Sequence, residues 1–518
     1  MSEAEAAGPG TGLLRRRVGA FLVPFAVLVA WMGWVIAPER SEIFPVLLLE
    51  FATLSAFFGV AAARHPQGEV RVSDPLVVLG LVFFYYYVYP AIKWSSGMRF
   101  GLEHDNSVRL LVPIVSWVQW MHVVFMGGVL VAYLASAPLR HLGPVPLEHY
   151  SKSLPAGRPA AILGILPFLL TILDRIIREG SILPQRTYGA AWGETIQATS
   201  QANRLGGADQ FVGQMLSKIY FIPSILFGIG LGLVLAKRLA EGRRLGALML
   251  LGIAPVLMFL SGGSRGFVAM PFLMAVLVAD MLAGPIRKRY LLALGLAGMA
   301  FFNAFSIYRG VQDQGFAAAM ESTTSELQHR NEQQFEATED SSMLVKEAYA
   351  LAYTDASGET VRPDYFMRSV LSLLPVQILP DKATWETTAG ILSQALLGSR
   401  SVEAGGGVAG ATMADGYFYA GVIGVIALAI VLGLVLGLTQ RYLLAPRVQG
   451  GASFLHAALF MTWLCQLFNF ARNELGGVFI QIVYYLVLPL GLGWFFLRGP
   501  MAARWYARLP WLPRPRKT

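Results

Sequence analysis

The fold class this sequence predicts is an all-α integral membrane protein of about a dozen spanning helices, with both termini cytoplasmic. Three observations predict it. Charged residues make up only 14% of the 518 positions and hydrophobic residues 55%, with a mean hydropathy of +0.54. A water-facing surface needs charge and a lipid-facing one cannot hold it, so the scarcity of charge is the stronger of these signals. Second, the apolar residues fall in discrete runs of about 17–25, the length that crosses a hydrocarbon core of roughly 30 Å. Third, Lys and Arg gather at alternate ends of these runs, as the positive-inside rule requires of short loops. The net charge of +9 therefore reads as membrane orientation rather than as nucleic-acid binding.

Taken in order, the candidate spans are residues 18–36, 43–62, 75–92, 108–134, 160–177, 219–236, 245–260, 267–283, 290–307, 416–438, 452–470 and 477–497. The first follows Arg15, Arg16 and Arg17, which raises a signal peptide as an alternative. Its length and the Pro38 beside the sole candidate cleavage site favour a retained helix. The basic face collects Arg64, Arg71, Arg140, Lys152, Arg158, Lys237, Arg238, Arg243, Arg244, Arg287, Lys288, Arg289, Arg441, Arg447 and the tail from Arg504 to Lys517. That face is assigned to the cytoplasm, and its persistence from the first loop to the last argues for an even number of spans. The chain thus divides into residues 1–307 with spans one to nine, a large external loop at 308–415, and residues 416–518 with spans ten to twelve and a basic tail. No internal repeat is visible, which argues against transporters built on inverted halves.

The external side holds two long loops, about 178–218 and about 308–415. In the second, the stretch 317–353 lacks Pro and Gly and is rich in Glu, Gln and Ala, which predicts an exposed or interfacial helix. Further on come Pro375, Pro380 and the run Gly405, Gly406, Gly407. Apolar stretches at 370–379 and 391–397 suggest a folded segment lying on the membrane surface. Loops of this length are usually functional or disordered.

Several polar groups are candidates for chemistry. Ser261, Gly262, Gly263, Ser264, Arg265 and Gly266 join spans seven and eight at the external face. A helix N-terminus there offers unpaired N–H groups and a positive dipole end, and Arg265 adds a planar fork suited to phosphate oxygens. The competing reading is a tight hairpin with Ser264 as N-cap and Arg265 reaching lipid phosphate. Arg472, Asn473 and Glu474 form the short turn between spans eleven and twelve, with Gln466 and Asn469 just below; an Arg472–Glu474 surface pair explains them equally simply. Asp174, Arg175 and Arg178 close span five, followed by Arg186 and Tyr188. Asp174 and Arg178 stand at i, i+4 and can pair, and cations at a helix C-terminus are favourable in any case. Arg309 and Arg400 flank the large loop.

Within the spans, Glu50 is costly unless paired or facing water. Gln119 and His122 share a face of span four and read as a hydrogen-bonded structural pair. The aromatics at 83–89 read as an interfacial belt. The single cysteine, Cys465, lies in an apolar run, which excludes an intrachain disulfide. The external loops carry no Asp-x-Asp, His-Glu-x-x-His or Cys/His cluster, and no P-loop motif occurs, so no metal, cofactor or ATP site is expected.

The order of these features resembles the Wzy-type O-antigen polymerases, the oligosaccharide repeat-unit polymerases. The resemblance rests on the Ser264-Arg265-Gly266 hairpin upstream of a large late loop. It extends to the loop's end, where Gly405, Gly406 and Gly407 precede Asp415, Gly416, Tyr417, Phe418, Tyr419, Gly421 and Gly424, and to Arg472 and Asn473 followed by Gly476. It covers about residues 245–497, and the acid at Asp415 is shorter than the Glu common in the family. The resemblance implies glycosyl transfer at the outer face of a bacterial plasma (inner) membrane. A growing glycan on undecaprenyl pyrophosphate is the donor, a hydroxyl of a second lipid-linked repeat unit is the acceptor, and a chain-length regulator and a flippase are partners. It places Arg265, Ser264, Gly263 and Arg472 on the pyrophosphate, with Arg175, Arg178, Arg309 and Arg400 as further candidates. Asp415, Glu403 and Glu474 are the options for the catalytic base. The alternatives are an O-antigen ligase, for which the loop offers only His329, and a membrane transporter or flippase, for which Glu50 stands nearly alone at membrane depth.

Overall fold

The computed structural model describes residues 43–64, 71–95, 108–136, 221–243, 265–283, 363–371, 412–443, 462–467 and 475–483, with short or single positions between them. All regular structure among these residues is helical. The elements are α1 (Phe44–Arg64), α2 (Pro75–Phe83), a π-helical turn (Phe84–Val88), α3 (Tyr89–Ser95), α4 (Val108–Ser136), α5 (Phe221–Ala240), α6 (Arg265–Ala283), α7 (Pro363–Leu371), α8 (Thr412–Leu443) and α9 (Leu475–Ile482). Four stretches are long and apolar enough to cross a bilayer: Phe44–Arg64, Pro75–Ile92, Val112–Ser136 and Thr412–Gln440. The chain is therefore a helical membrane protein. The expected spans at 18–36 and 245–260 lie outside the described residues, and those at 160–177, 290–307, 452–470 and 477–497 are described only in part.

Local chemistry sets the helix ends. Asp74 caps α2 by accepting the Leu76 N–H at 2.8 Å, and Pro75 occupies the first helical position, where its missing N–H costs nothing. On the α8 surface Ile423, Ile426, Ile430, Leu434 and Leu438 repeat at intervals of three or four residues and stay exposed, as lipid contact requires. On the opposite face Val425, Ala429, Leu432 and Leu436 are buried.

Small residues bring the helices together, because in lipid the attraction comes from close backbone approach rather than from hydrophobicity. A methyl group at Gly433 of α8 would overlap the Val129 carbonyl oxygen of α4, and one at Gly128 of α4 would stand 2.9 Å from the Ala429 side chain. Between α5 and α6, Gly228 and Gly232 form a small-xxx-small pair. A methyl at Gly228 would lie 2.8 Å from the Pro271 carbonyl oxygen, and one at Gly232 would lie 2.6 Å from Val278.

Polar contacts tie like ends of the helices to each other. Arg64, closing α1, donates to the Tyr133 hydroxyl near the end of α4, and that hydroxyl donates to Gln440 near the end of α8. Asp280, near the end of α6, accepts from the Ser73 N–H at 3.1 Å and from the Ser73 hydroxyl at 2.8 Å, just before α2 begins.

Three expectations are corrected. The aromatics near 83–89 do not form a belt facing the membrane surface: Phe83, Tyr86 and Tyr87 are buried. Phe83 stacks on Tyr87 at 5.4 Å and meets Phe57 and Phe125 edge-on. The π-helical turn inserts an extra residue into the repeat, so it swings successive rings inward where an α-helix would have spread them around the surface. The loop stretch 317–353 is helical where described, but not simply exposed. Leu344, Glu347, Ala348 and Leu351, spaced i, i+3, i+4, i+7, are buried in the core. Last, span ten is not one continuous helix from Gly416: Thr412 to Tyr419 form a separate helical segment whose Gly416 lies close against Gly424, and the spanning part runs on after the break. The two parts meet at Ala420 and Gly421, where Gly421 takes φ 58° and ψ −143°, a conformation open to glycine alone.

Candidate functional site

Two constellations of polar side chains stand out, one at a junction of the large loop with the spans, the other inside the helical core.

The junction gathers segments far apart in sequence. The segment of α8 before its break, Thr412 to Tyr419, carries Asp415, which is fully buried. Its Oδ2 accepts the backbone N–H of Leu475, the first residue of α9. A carboxylate at that position satisfies an orphan donor and complements the positive end of the helix. Leu475 follows Arg472, Asn473 and Glu474 in sequence, and this bond fixes the segment carrying Asp415 to the start of α9. Helix α7, from the middle of the loop, packs on both α8 and α9. The Ser369 and Tyr419 hydroxyls stand 2.7 Å apart, and Phe366 meets the Tyr419 ring edge-on at 5.9 Å. Also on α7, Arg368 pairs with Asp364 at 3.0 Å and lies over the Tyr365 ring at 5.3 Å. Phe366 and Met367 leave an apolar face of α7 exposed.

The second constellation lies among the spanning helices. His122 of α4 is fully buried, as are Glu50 of α1 and Glu347 of the loop helix. The imidazole bridges the two acids: Nδ1 is 2.9 Å from Glu50 Oε1 and Nε2 is 2.7 Å from Glu347 Oε2. Gln119, one turn before His122, donates to the other Glu50 oxygen at 3.3 Å. Gln119 and His122 thus share a face as the sequence suggests, and the group that occupies them both is Glu50. The Tyr87 ring lies flat against the imidazole, with centroids 4.0 Å apart and planes within 10°. The π-helical turn delivers that ring, and Phe83 and Phe125 close the wall behind it.

The sequence-predicted site residues fall unevenly on this structure. Asp415 is at the junction. Arg265 is the first residue of α6, and residues 261–264 before it lie outside the described residues. The Arg265 side chain, together with Gly263, Ser264, Arg175, Arg178, Arg309, Arg400, Glu403, Arg472, Glu474 and His329, lies outside the described residues. Sequence reasoning passed over Glu347, Ser369 and Arg368, and named Tyr419 only as part of the motif after Asp415. The signal for Glu347 was an acid set within a Leu344, Ala348, Leu351 stripe, where a solvated helix would have kept it on the opposite face. Among the described residues, no three His, Cys, Asp or Glu side chains stand in a metal-holding group. Searches against protein-family models, curated proteins and solved structures found no match to this chain.

Proposed function

We propose that this protein joins lipid-pyrophosphate-linked oligosaccharide repeat units at the outer face of a bacterial plasma membrane. In the proposed step, a hydroxyl of the acceptor unit attacks the anomeric carbon of the donor glycan. The bond from that carbon to the pyrophosphate oxygen breaks, the lipid pyrophosphate leaves with the electron pair, and the hydroxyl proton passes to a base. The leaving group is already activated, so the protein must align two lipid-borne substrates and neutralise charge on the departing phosphate, without a metal.

The observation that carries this reading is the junction: Asp415, the residue after the Arg472 turn, and loop helix α7 come together beside spanning helix α8. In a polymerase of this kind, the donor pyrophosphate sits at headgroup depth between Arg265 at the start of α6 and Arg472. Arg175, Arg178, Arg309 and Arg400 are further contacts, and the arginine fork suits phosphate oxygens. Asp415, committed to the α9 N-terminus, holds the Arg472 turn in place, and Glu474 or Glu403 takes the acceptor proton. The proposed topology has twelve spans with both termini in the cytoplasm. It is supported by the contacts among Arg64, Tyr133 and Gln440 and between Ser73 and Asp280, which join helix ends that the basic-residue bias assigns to one side.

The test is substitution in a stably expressed protein. Arg265→Ala and Arg472→Ala each shorten or abolish the polymer, by about a hundredfold in rate if each removes one charge-stabilising contact. Unchanged polymer length and yield in both variants refute the pyrophosphate cradle. A ligase shares the donor but delivers finished chains to a different acceptor. One observation favours a second reading, a proton-coupled carrier: Glu50 does not stand alone at depth but belongs to a buried set with His122 and Glu347, the composition of proton relays in transporters. Proton-dependent uptake of a lipid-linked sugar into proteoliposomes distinguishes it.

A further inference from the structure

The bonding pattern around His122 constrains where protons reside. Two carboxyl groups and one imidazole are fully buried together, and neither Lys nor Arg pairs with them among the described residues. With both acids ionised and the imidazole neutral, the group would carry two uncompensated negative charges in the core. Even with an imidazolium one would remain, and an unpaired buried charge is strongly disfavoured. Two arrangements are neutral, an imidazolium with one carboxylate and one carboxylic acid, or a neutral imidazole between two carboxylic acids, and in both at least one acid holds a proton.

Glu50 Oε1 stands 2.9 Å from His122 Nδ1 and Glu347 Oε2 stands 2.7 Å from His122 Nε2, so a ring nitrogen that carries hydrogen donates to the acid opposite it, and a bare one accepts from that acid's hydroxyl. The Gln119 amide donates to Glu50 Oε2 at 3.3 Å. Glu347 Oε1, Gln119 Oε1 and the Tyr87 hydroxyl oxygen are buried without a hydrogen-bond partner among the described residues.

We infer that Glu50, Gln119, His122 and Glu347 form a proton-binding site inside the helical core, in which the two acids and the imidazole between them hold at least one proton on a carboxyl group. Tyr87 seals the imidazole face. Glu50, His122 and Tyr87 belong to α1, α4 and the π-helical turn, whereas Glu347 belongs to a second loop helix, described at positions 344, 347, 348, 351 and 352 and distinct from α7. Proton occupancy and the docking of that loop helix are therefore linked. The site does not depend on the polymerase reading.

Infrared spectroscopy of the full-length protein in lipid, in H2O and in D2O, tests it. The wild type at neutral pH shows a carbonyl band of a protonated carboxyl that shifts on deuteration. Glu347→Gln and Glu50→Gln each remove one protonated carboxyl's worth of that band, because each takes one acid out of the charge balance. His122→Gln leaves the band at least as strong, because each acid must then hold its own proton. A wild type without the band at neutral pH overturns the inference before any variant is made. A band unchanged in folded Glu347→Gln overturns it too. Should Glu347→Gln fail to fold, Glu347→Asp keeps the acid in a new environment. A shifted band then supports the site, and an unshifted one refutes it.

Discussion

Asp415 shows how a residue conspicuous in sequence can have a plainer job than the one its setting suggests. An acid beside glycines and aromatics at the end of a large loop invites a catalytic role. The structure commits Oδ2 to the Leu475 N–H and buries the side chain completely. Positioning and proton transfer separate by substitution. Asp415→Asn keeps an acceptor for the helix end, so the protein retains most of its polymer yield. Asp415→Ala loses the cap, costs about 1–2 kcal/mol of stability and releases the Arg472 turn. Comparing unfolding midpoints and polymer length for the two variants checks this; a complete loss of polymer with a stable Asp415→Asn would make Asp415 the base instead. Glu50 and His122 were legible as residues that needed partners, since charge at membrane depth must be matched. The match itself was not legible, because Glu347 lies 225 positions from His122 and in a loop. No local rule joins such positions; only the folded chain does.

At the scale of elements, most of the helices were written in the hydropathy. The runs at 43–62, 75–92, 108–134 and 219–236 correspond to α1, to α2 through α3, to α4 and to α5, shifted by a few residues at their ends. Length and apolar character suffice for this, because a segment in lipid must satisfy its backbone hydrogen bonds internally. What hydropathy could not supply was the inward turn of Tyr86 and Tyr87, which depends on a π-helical turn, or the break at Ala420 and Gly421. Both are backbone departures that leave average composition unchanged. The pairing of helices was partly legible in glycine: Gly228 and Gly232 at a four-residue spacing are a small-residue face, and Gly433 allows α8 to lie on α4. Gly433→Val therefore forces α8 off the Val129 carbonyl, with a cost of about 1–3 kcal/mol or more. The thermal midpoint in detergent falls accordingly, whereas Gly127→Val, which meets open space, leaves it nearly unchanged. Equal midpoints for the two variants would contradict the close α4–α8 packing.

For the whole molecule, the charge bias and the contacts between helix ends tell one story. In the proposed topology, the basic ends of α1 and α5 belong to one face and α7 to the other. Single cysteines report this directly, since the native Cys465 is buried and unreactive to external reagents. With Met367→Cys on α7, a membrane-impermeant thiol reagent labels intact cells. With Lys237→Cys at the end of α5, it labels only after the membrane is opened. Both positions are more than half exposed, so failure to react reflects sidedness rather than burial. The reverse pattern would invert the topology and move the junction to the wrong side for externally presented glycans.

The central claim is that this protein lengthens lipid-linked glycans, and the most direct measurement is made on a deletion strain of the source bacterium. Its polysaccharide is resolved by gel and its lipid-pyrophosphate-linked glycans by mass spectrometry, with the intact gene restored as control. The account predicts loss of the long-chain ladder together with accumulation of single repeat units on lipid, reversed by complementation. Long lipid-linked chains that persist without reaching their final acceptor, or a glycan profile identical to the parent strain, would contradict it.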